Sequence, residues 1–188
     1  MRRLFPVVGF HGCRSAVADA VLNRGEPLIA KEKDYHWLGQ GVYFWVEGYR
    51  RAWDWARRHH PDPAVIAAII RSMNCLDLTD LGSASELKLS YEDLEALHAA
   101  ADLELPKNQA PANGIPLNRQ LDCKVIEHLH EMRKRFGAPD YDTVIGAFEE
   151  GSEIYPGAAL REETHVQIAV RTPAAILAVF PPSAMGFT

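Results

Sequence analysis

The stretch Val7-Val-Gly-Phe-His-Gly-Cys-Arg-Ser15 sets an imidazole and a thiol, His11 and Cys13, where a β-branched run gives way to a turn. Two chemistries are open to such a pair. The histidine can bond a hydroxyl of a bound ligand, or it can serve as base to a thiol nucleophile. The second asks for an orienting third group, and none is indicated. Side chains at i and i+2 of a strand also point in parallel, so Cys13 reads as a small packing group. A lone histidine at a strand end is ordinarily structural. Its chemical reading depends on what other strands bring to meet it.

Two other segments do so. In Gly39-Gln-Gly-Val-Tyr-Phe-Trp-Val46 a glycine-introduced strand sorts Val42, Phe44 and Val46 from Tyr43 and Trp45. In Glu162-Glu-Thr-His-Val-Gln-Ile-Ala-Val-Arg171 the same period puts Val166, Ile168 and Val170 on a core face and Glu163, His165 and Gln167 on the other. A solvated outer face accounts for the second pattern taken alone. The pairs His128/His130 and His59/His60 are placed too divergently for one metal ion and read as solvated helix faces. Arg50, Arg51, Arg57 and Arg58 form a basic cluster, ordinarily a solvated face, with a phosphate-facing role as the minority option. Trp53 is expected in the core, and Trp37 and Trp45 near enough to Tyr43 to line a pocket.

The elements that must position these residues follow from periodicity. Phe5 to Gly12 is expected as a strand, followed by a short helix capped by Ser15, with Val17, Val21 and Leu22 on one face and Gly25 past its end. Leu38 to Val46 is the next strand, then a helix through Tyr49, Ala52, Trp53 and Ala56 that stops before Pro61. Ala64 to Ile70 and Cys75-Leu-Asp-Leu read as strands. Ser90 and Asp93 carry a capping-box signature ahead of a helix with Leu94, Leu97 and Ala101. Pro106 to Pro116 is a loop, and Leu121, Val125, Leu129, Met132 and Phe136 mark a helix closed by Gly137 and Pro139. Strands return at Tyr141 to Phe148, Glu163 to Arg171 and Ile176 to Phe180. The expectation is one α+β domain over 1–188 with a helical insertion at about 82–139.

Bulk properties agree with that picture. The 188 residues suit one domain, and 47% hydrophobic content marks a globular chain. A net charge of −5 gives no electrostatic footprint for generic nucleic-acid binding. Three cysteines at unrelated spacings argue against a disulfide framework and for a reducing compartment. Met1-Arg-Arg followed by an apolar run broken by Pro6 and Gly9 lacks the form of a signal peptide, and no stretch is long enough to span a membrane. The expected location is cytoplasmic, with signal-free export left open.

The ordered triplet of a histidine beside a glycine, a tyrosine in a glycine-flanked strand and a polar residue near the last strands resembles the ADP-ribosyltransferase superfamily. The likeness is to its diphtheria-toxin and poly(ADP-ribose) polymerase branch, recognised by His-Tyr-Glu on three strands, and to bacterial toxin-like members of it. Phe10-His-Gly-Cys13 corresponds to the first motif and Gly39-Gln-Gly-Val-Tyr-Phe44 to the second. Gln167-Ile-Ala-Val-Arg-Thr-Pro-Ala-Ala-Ile176 corresponds to the third, with glutamine where the family has its catalytic glutamate.

The resemblance implies a split antiparallel β-sheet and NAD as substrate, with no metal. His11 would bond a ribose hydroxyl, the Gly12 backbone would hold the nicotinamide carboxamide, Tyr43 would stack on the nicotinamide ring, and Gln167 would orient the ribose. Tyr43 and Gln167 are thus the implied catalytic residues. An amide orients but does not carry the charge of a carboxylate, a loss of several kcal/mol in the transition state. Glu163, on the same face, is the first candidate to supply it, with Glu149, Glu150, Glu153 and Glu162 in or beside the preceding loop. Tyr155 and Arg161 in that loop are candidates for acceptor contact. The implied activity is transfer of ADP-ribose to a protein or nucleic-acid acceptor, in the setting of a toxin or effector with an antitoxin or immunity partner and no membrane. The alternatives are an NAD glycohydrolase and a non-catalytic module that binds NAD or ADP-ribose.

Overall fold

The computed structural model describes residues 6–30, 33–109 and 118–187. Among these described residues lie nine strands, β1 (Val7–Arg14), β2 (Val42–Val46), β3 (Pro63–Ile70), β4 (Cys75–Asp77), β5 (Asn108–Gln109), β6 (Asn118–Arg119), β7 (Thr143–Phe148), β8 (His165–Val170) and β9 (Ile176–Phe180), and four α-helices. The helices are α1 (Ser15–Arg24), α2 (Tyr49–His59), α3 (Leu81–Ala100) and α4 (Gln120–Arg135). Seven strands form one sheet in the order β4-β7-β8-β2-β1-β3-β9, and β5 and β6 form a separate short ribbon. The architecture is α+β. The sheet is mixed and not purely antiparallel, because β4 runs parallel to β7. That pairing needs a long crossover, and the stretch that holds α3 and α4 provides it.

Pairing around β1 is lopsided. On one side β1 meets β3 at every position from Val7↔Ile70 to Arg14↔Pro63. On the other it meets β2 only at Gly9↔Val46 and Phe10↔Trp45. β2 then pairs regularly with β8, from Val42↔Val170 to Trp45↔Gln167. The sheet is continuous, yet it opens between β1 and β2 beyond Phe10.

Both faces are covered. One carries Phe44, Ile70, Ile145, Ile168 and Val170, and continues to Cys13, Ile66 and the Ala18/Val21 side of α1. The other carries Phe10 and Trp45 under α2, and Val144, Phe148 and Ala169 under Ile126 and Leu129 of α4. At about 25 cal/mol per Å² of buried apolar surface, these clusters are the main stabilising contribution.

Several local expectations are corrected. The first strand runs to Arg14, and Phe5 lies outside the described residues. Ser15 is the first helical residue and not a cap: its Oγ and N both reach the Asp62 carbonyl, at 2.9 and 2.8 Å, which ties α1 to the turn before β3. Leu38 to Gly41 is a turn, so β2 starts at Val42. The first insertion helix begins at Leu81, capped by Asp80, whose carboxylate accepts from the Gly82 N–H at 2.8 Å. Ser90 is therefore mid-helix and buried, donating to the Val125 carbonyl of α4 at 2.8 Å. Phe136 is left exposed at the end of α4. Most of the expected loop from Pro106 to Pro116 lies outside the described residues.

Candidate active site

The opening between β1 and β2 is where the first two motifs meet. The Val8 carbonyl accepts from the Glu47 N–H at 2.9 Å, so the backbone groups of Val8, Phe10 and Gly12 face β2. The ladder stops at Phe10, and the Gly12 N–H and C=O are the next pair on that edge, directed into the opening. At this step His11 Nδ1 lies 2.8 Å from the Tyr43 carbonyl. A carbonyl only accepts, so Nδ1 carries the hydrogen and a side-chain bond replaces the backbone bond. The ring packs beside Phe44, centroids 5.6 Å apart.

Gly12 is glycine for a packing reason as well. A Cβ there would sit 2.4 Å from the Ala52 carbonyl oxygen and 3.2 Å from the Trp55 ring. The absent side chain lets α2 lie directly against β1.

Tyr43 and Gln167 share the opposite sheet face from His11. Tyr43 pairs with Ala169 and Trp45 with Gln167, so Tyr43 and Gln167 are diagonal neighbours on the α2/α4 face, whereas His11 shares the Phe44 face. The three strands that carry the triplet are consecutive, β8-β2-β1. The Tyr43 hydroxyl accepts from the Leu38 N–H at 2.8 Å and donates to the Gly39 carbonyl at 2.6 Å, and His36 packs against the ring at 4.8 Å. Burial drives the phenol far above its ordinary value, so it stays a neutral hydroxyl. Gln167 has Trp45 on one side and the bare backbone of Gly146 on the other.

The glycine turn before Tyr43 is pinned from α4. Gly39 has φ +73°, and a Cβ there would meet Glu127 Oε1 at 2.4 Å. Glu127 accepts from the Gln40 N–H at 2.7 Å and takes both Arg171 nitrogens, at 2.5 and 2.9 Å, while Arg171 also donates to the Gln40 carbonyl at 3.0 Å. Burial alone would raise the Glu127 carboxyl, but bonds from Arg171 and Gln40 outweigh it and hold it below its ordinary value.

Glu163 is held in an ion-pair network with α2. Arg58 reaches it at 2.8 Å and Arg51 at 3.1 Å, and the Arg58 bond, followed by the two arginine charges, lowers its carboxyl. Glu150 is deeper: Arg51 lies 2.7 Å away and His165 Nδ1 3.6 Å, and burial, opposed by Arg51, raises its carboxyl. Half of the expected solvated arginine cluster thus binds carboxylates of the loop between β7 and β8, while Arg50 and Arg57 stay toward solvent. Arg161 pairs with Glu153 at 3.9 Å, and Tyr155 is exposed in the same loop.

His165 is enclosed by aromatic rings, with Trp37 at 6.4 Å, Phe148 at 5.9 Å and Trp45 at 6.3 Å. The Arg119 guanidinium lies over Trp37 at 4.4 Å. On the polar face of β8, His165 is therefore buried, while Glu163 and Gln167 stay part-exposed. His128 and His130 are likewise buried, the former 2.8 Å from Asp93 of α3. Trp53 is exposed, and Trp55 takes the inward place against Trp45, 5.9 Å between centroids. Cys13 packs with Ala18, Val21 and Ile66, and burial pushes its thiol to about 11, which removes it as a ready nucleophile.

Among the described residues no cluster of three or more His, Cys, Asp or Glu side chains is arranged to hold a metal ion, and no helix is long and apolar enough to cross a membrane. No protein-family model matches the chain, and comparisons with curated proteins and with solved structures find no match.

Proposed function

We propose that this chain is an NAD-dependent ADP-ribosyltransferase that takes NAD at the opening between β1 and β2 and passes ADP-ribose to a macromolecular acceptor. The observation that carries the reading is the coincidence of the sheet's opening with the His-Gly motif. The backbone N–H and C=O of Gly12 leave the ladder at the residue after His11. A carboxamide offers one acceptor and a donor pair, the complement of that backbone edge. In this reading the His11 imidazole serves a ribose hydroxyl from one side of the opening, and the electron-rich Tyr43 ring, on the opposite sheet face, suits a pyridinium.

In this reading, Gln167 orients the nicotinamide ribose by its amide. Cleavage of the nicotinamide–ribose bond builds positive charge on the sugar, which Gln167 does not neutralise, so the chemical step is slow unless another group assists. Glu163 is held by both Arg51 and Arg58 and is a poor substitute; Glu150, held by Arg51 alone and raised by burial, is the less encumbered carboxylate of the loop. The setting of a toxin or effector, paired with an antitoxin or immunity protein, belongs to the same proposal.

The test is nicotinamide release from NAD by the purified protein, alone and with cell lysate, beside Tyr43→Ala and Gln167→Ala. Release that needs both lysate and Tyr43 is the expected result. Release without lysate makes the protein a glycohydrolase, and tight NAD binding without release makes it a non-catalytic module.

A further inference from the structure

Two polar atoms beside Gln167 are buried with no hydrogen-bond partner among the described residues, Trp45 Nε1 and His165 Nε2. Trp45 is 6% exposed and His165 8%, so neither atom is served by bulk water. Leaving such a group unsatisfied costs about 1–3 kcal/mol each. Both flank the same residue: Trp45 is the cross-strand partner of Gln167, and His165 lies two residues before it on the same face.

The two atoms have opposite hydrogen-bonding character. Indole nitrogen only donates. His165 Nδ1 sits 2.7 Å from the Glu163 carbonyl, which only accepts, so the ring hydrogen is on Nδ1. Its Nε2 then carries a lone pair. Resting on the transferase reading above, we propose that Trp45 Nε1 and His165 Nε2 together hold the acceptor's hydroxyl, with His165 as the general base that activates it. A hydroxyl accepts from the indole N–H and donates to the imidazole through one oxygen. A guanidinium, which only donates, leaves the indole unsatisfied. A carboxylate, which only accepts, leaves the imidazole unsatisfied. An alcohol, as in a serine, a threonine or a ribose, is the acceptor class we propose.

The step balances without a further reactant. The hydroxyl proton passes to His165 Nε2, and the oxygen forms the bond to the ribose carbon. The bond from that carbon to nicotinamide breaks, its electron pair neutralising the pyridinium nitrogen. The imidazolium then returns its proton to solvent once the product has left. Charges around His165 come from three sides: Arg51 of α2, Glu150 and Glu163 of the loop, and Arg119 over the flanking Trp37 ring. Glu150, 3.6 Å from Nδ1 and beyond hydrogen-bond distance, acts on the imidazolium through its charge. Burial and Arg51 hold His165 below its ordinary value, so the ring is neutral and able to accept near pH 7.

The test compares the unaltered protein with His165→Asn, whose amide keeps the bond to the Glu163 carbonyl but has no atom at Nε2. NAD turnover is followed from pH 5 to pH 9 with and without glycerol as probe alcohol, and the His165 tautomer is read by ¹⁵N NMR. The expected results are a ring protonated at Nδ1 and glycerol-linked ADP-ribose from the unaltered protein. His165→Asn should lower that product about 100-fold and abolish the acidic limb of the pH profile. A ring protonated at Nε2, or a rate and acidic limb unchanged in His165→Asn, overturns the assignment of His165. Absence of any NAD cleavage by the unaltered protein overturns the transferase reading itself, an outcome distinct from the first two.

Discussion

His11 Nδ1 donates to the carbonyl of Tyr43 across 2.8 Å at the first step beyond the last β1–β2 backbone pair. A side chain thus closes the ladder where the backbone no longer does. That accounts in structural terms for an imidazole that lies within β1 and not, as its sequence context suggests, at a strand end, and it leaves the neighbouring Gly12 backbone facing the opening.

Removing the imidazole should therefore cost stability before any activity is considered. His11→Ala deletes one part-buried hydrogen bond and leaves the Tyr43 carbonyl without it, a loss of about 1–2 kcal/mol. Urea denaturation measures it as a lower midpoint. An unchanged midpoint would show that the bond contributes nothing.

Gly12→Ala is the sharper perturbation. Its Cβ would lie 2.4 Å from the Ala52 carbonyl oxygen, on a helix backbone that cannot rotate aside. Displacing α2 should cost about 1–3 kcal/mol. The comparison is with Gly137→Ala at the end of α4, where a Cβ meets nothing within 4 Å and only the left-handed backbone, φ +69°, is strained.

The Glu127–Arg171 pair makes stability depend on acid. The folded carboxyl lies below its ordinary value, so its contribution is fully present above about pH 4.3 and fades as pH falls through the folded value. Glu127→Gln should lower the melting temperature at neutral pH and flatten its decline below about pH 4. Melting curves across that range decide the point, and an equally steep acid limb in the variant would place the titration elsewhere.

Cys13 should be inert. With its thiol raised to about 11, the thiolate fraction at pH 8 is on the order of one in a thousand, and the sulfur is packed under α1. Alkylation of the native protein should spare Cys13, and Cys13→Ser should retain NAD cleavage. Loss of cleavage in Cys13→Ser with retention in Tyr43→Ala would instead identify a thiol enzyme.

The legible part of this fold lies where a local pattern is decisive. Pro63–Ile70, Thr143–Phe148 and Ile176–Phe180 are apolar runs, and each became a strand. Gly25 and Gly137, both with φ +69°, end their helices as their positions predict. The misplaced start of α3 has a local cause: its N-terminal half includes exposed Leu81 and Leu89 and shows no apolar stripe, so the capping Asp80 is masked. The buried His128 and His130 depend on α3 covering α4, which no period within α4 reports. Arg51 and Glu150 are 99 residues apart, and their contact follows only once β8 lies beside β2. The triplet His11, Tyr43 and Gln167 was legible as an order along the chain, but not the placement of His11 on the opposite sheet face from the other two.

The most direct measurement of the central claim is an NAD titration of ¹⁵N-labelled protein, followed at the backbone amides. The account predicts shifts concentrated at Gly12, His11, Tyr43 and Gln167, with the Gly12 amide moved most. No shift at saturating NAD, or shifts confined to the groove between α1 and β9 around Leu28 and Ile176, would contradict it.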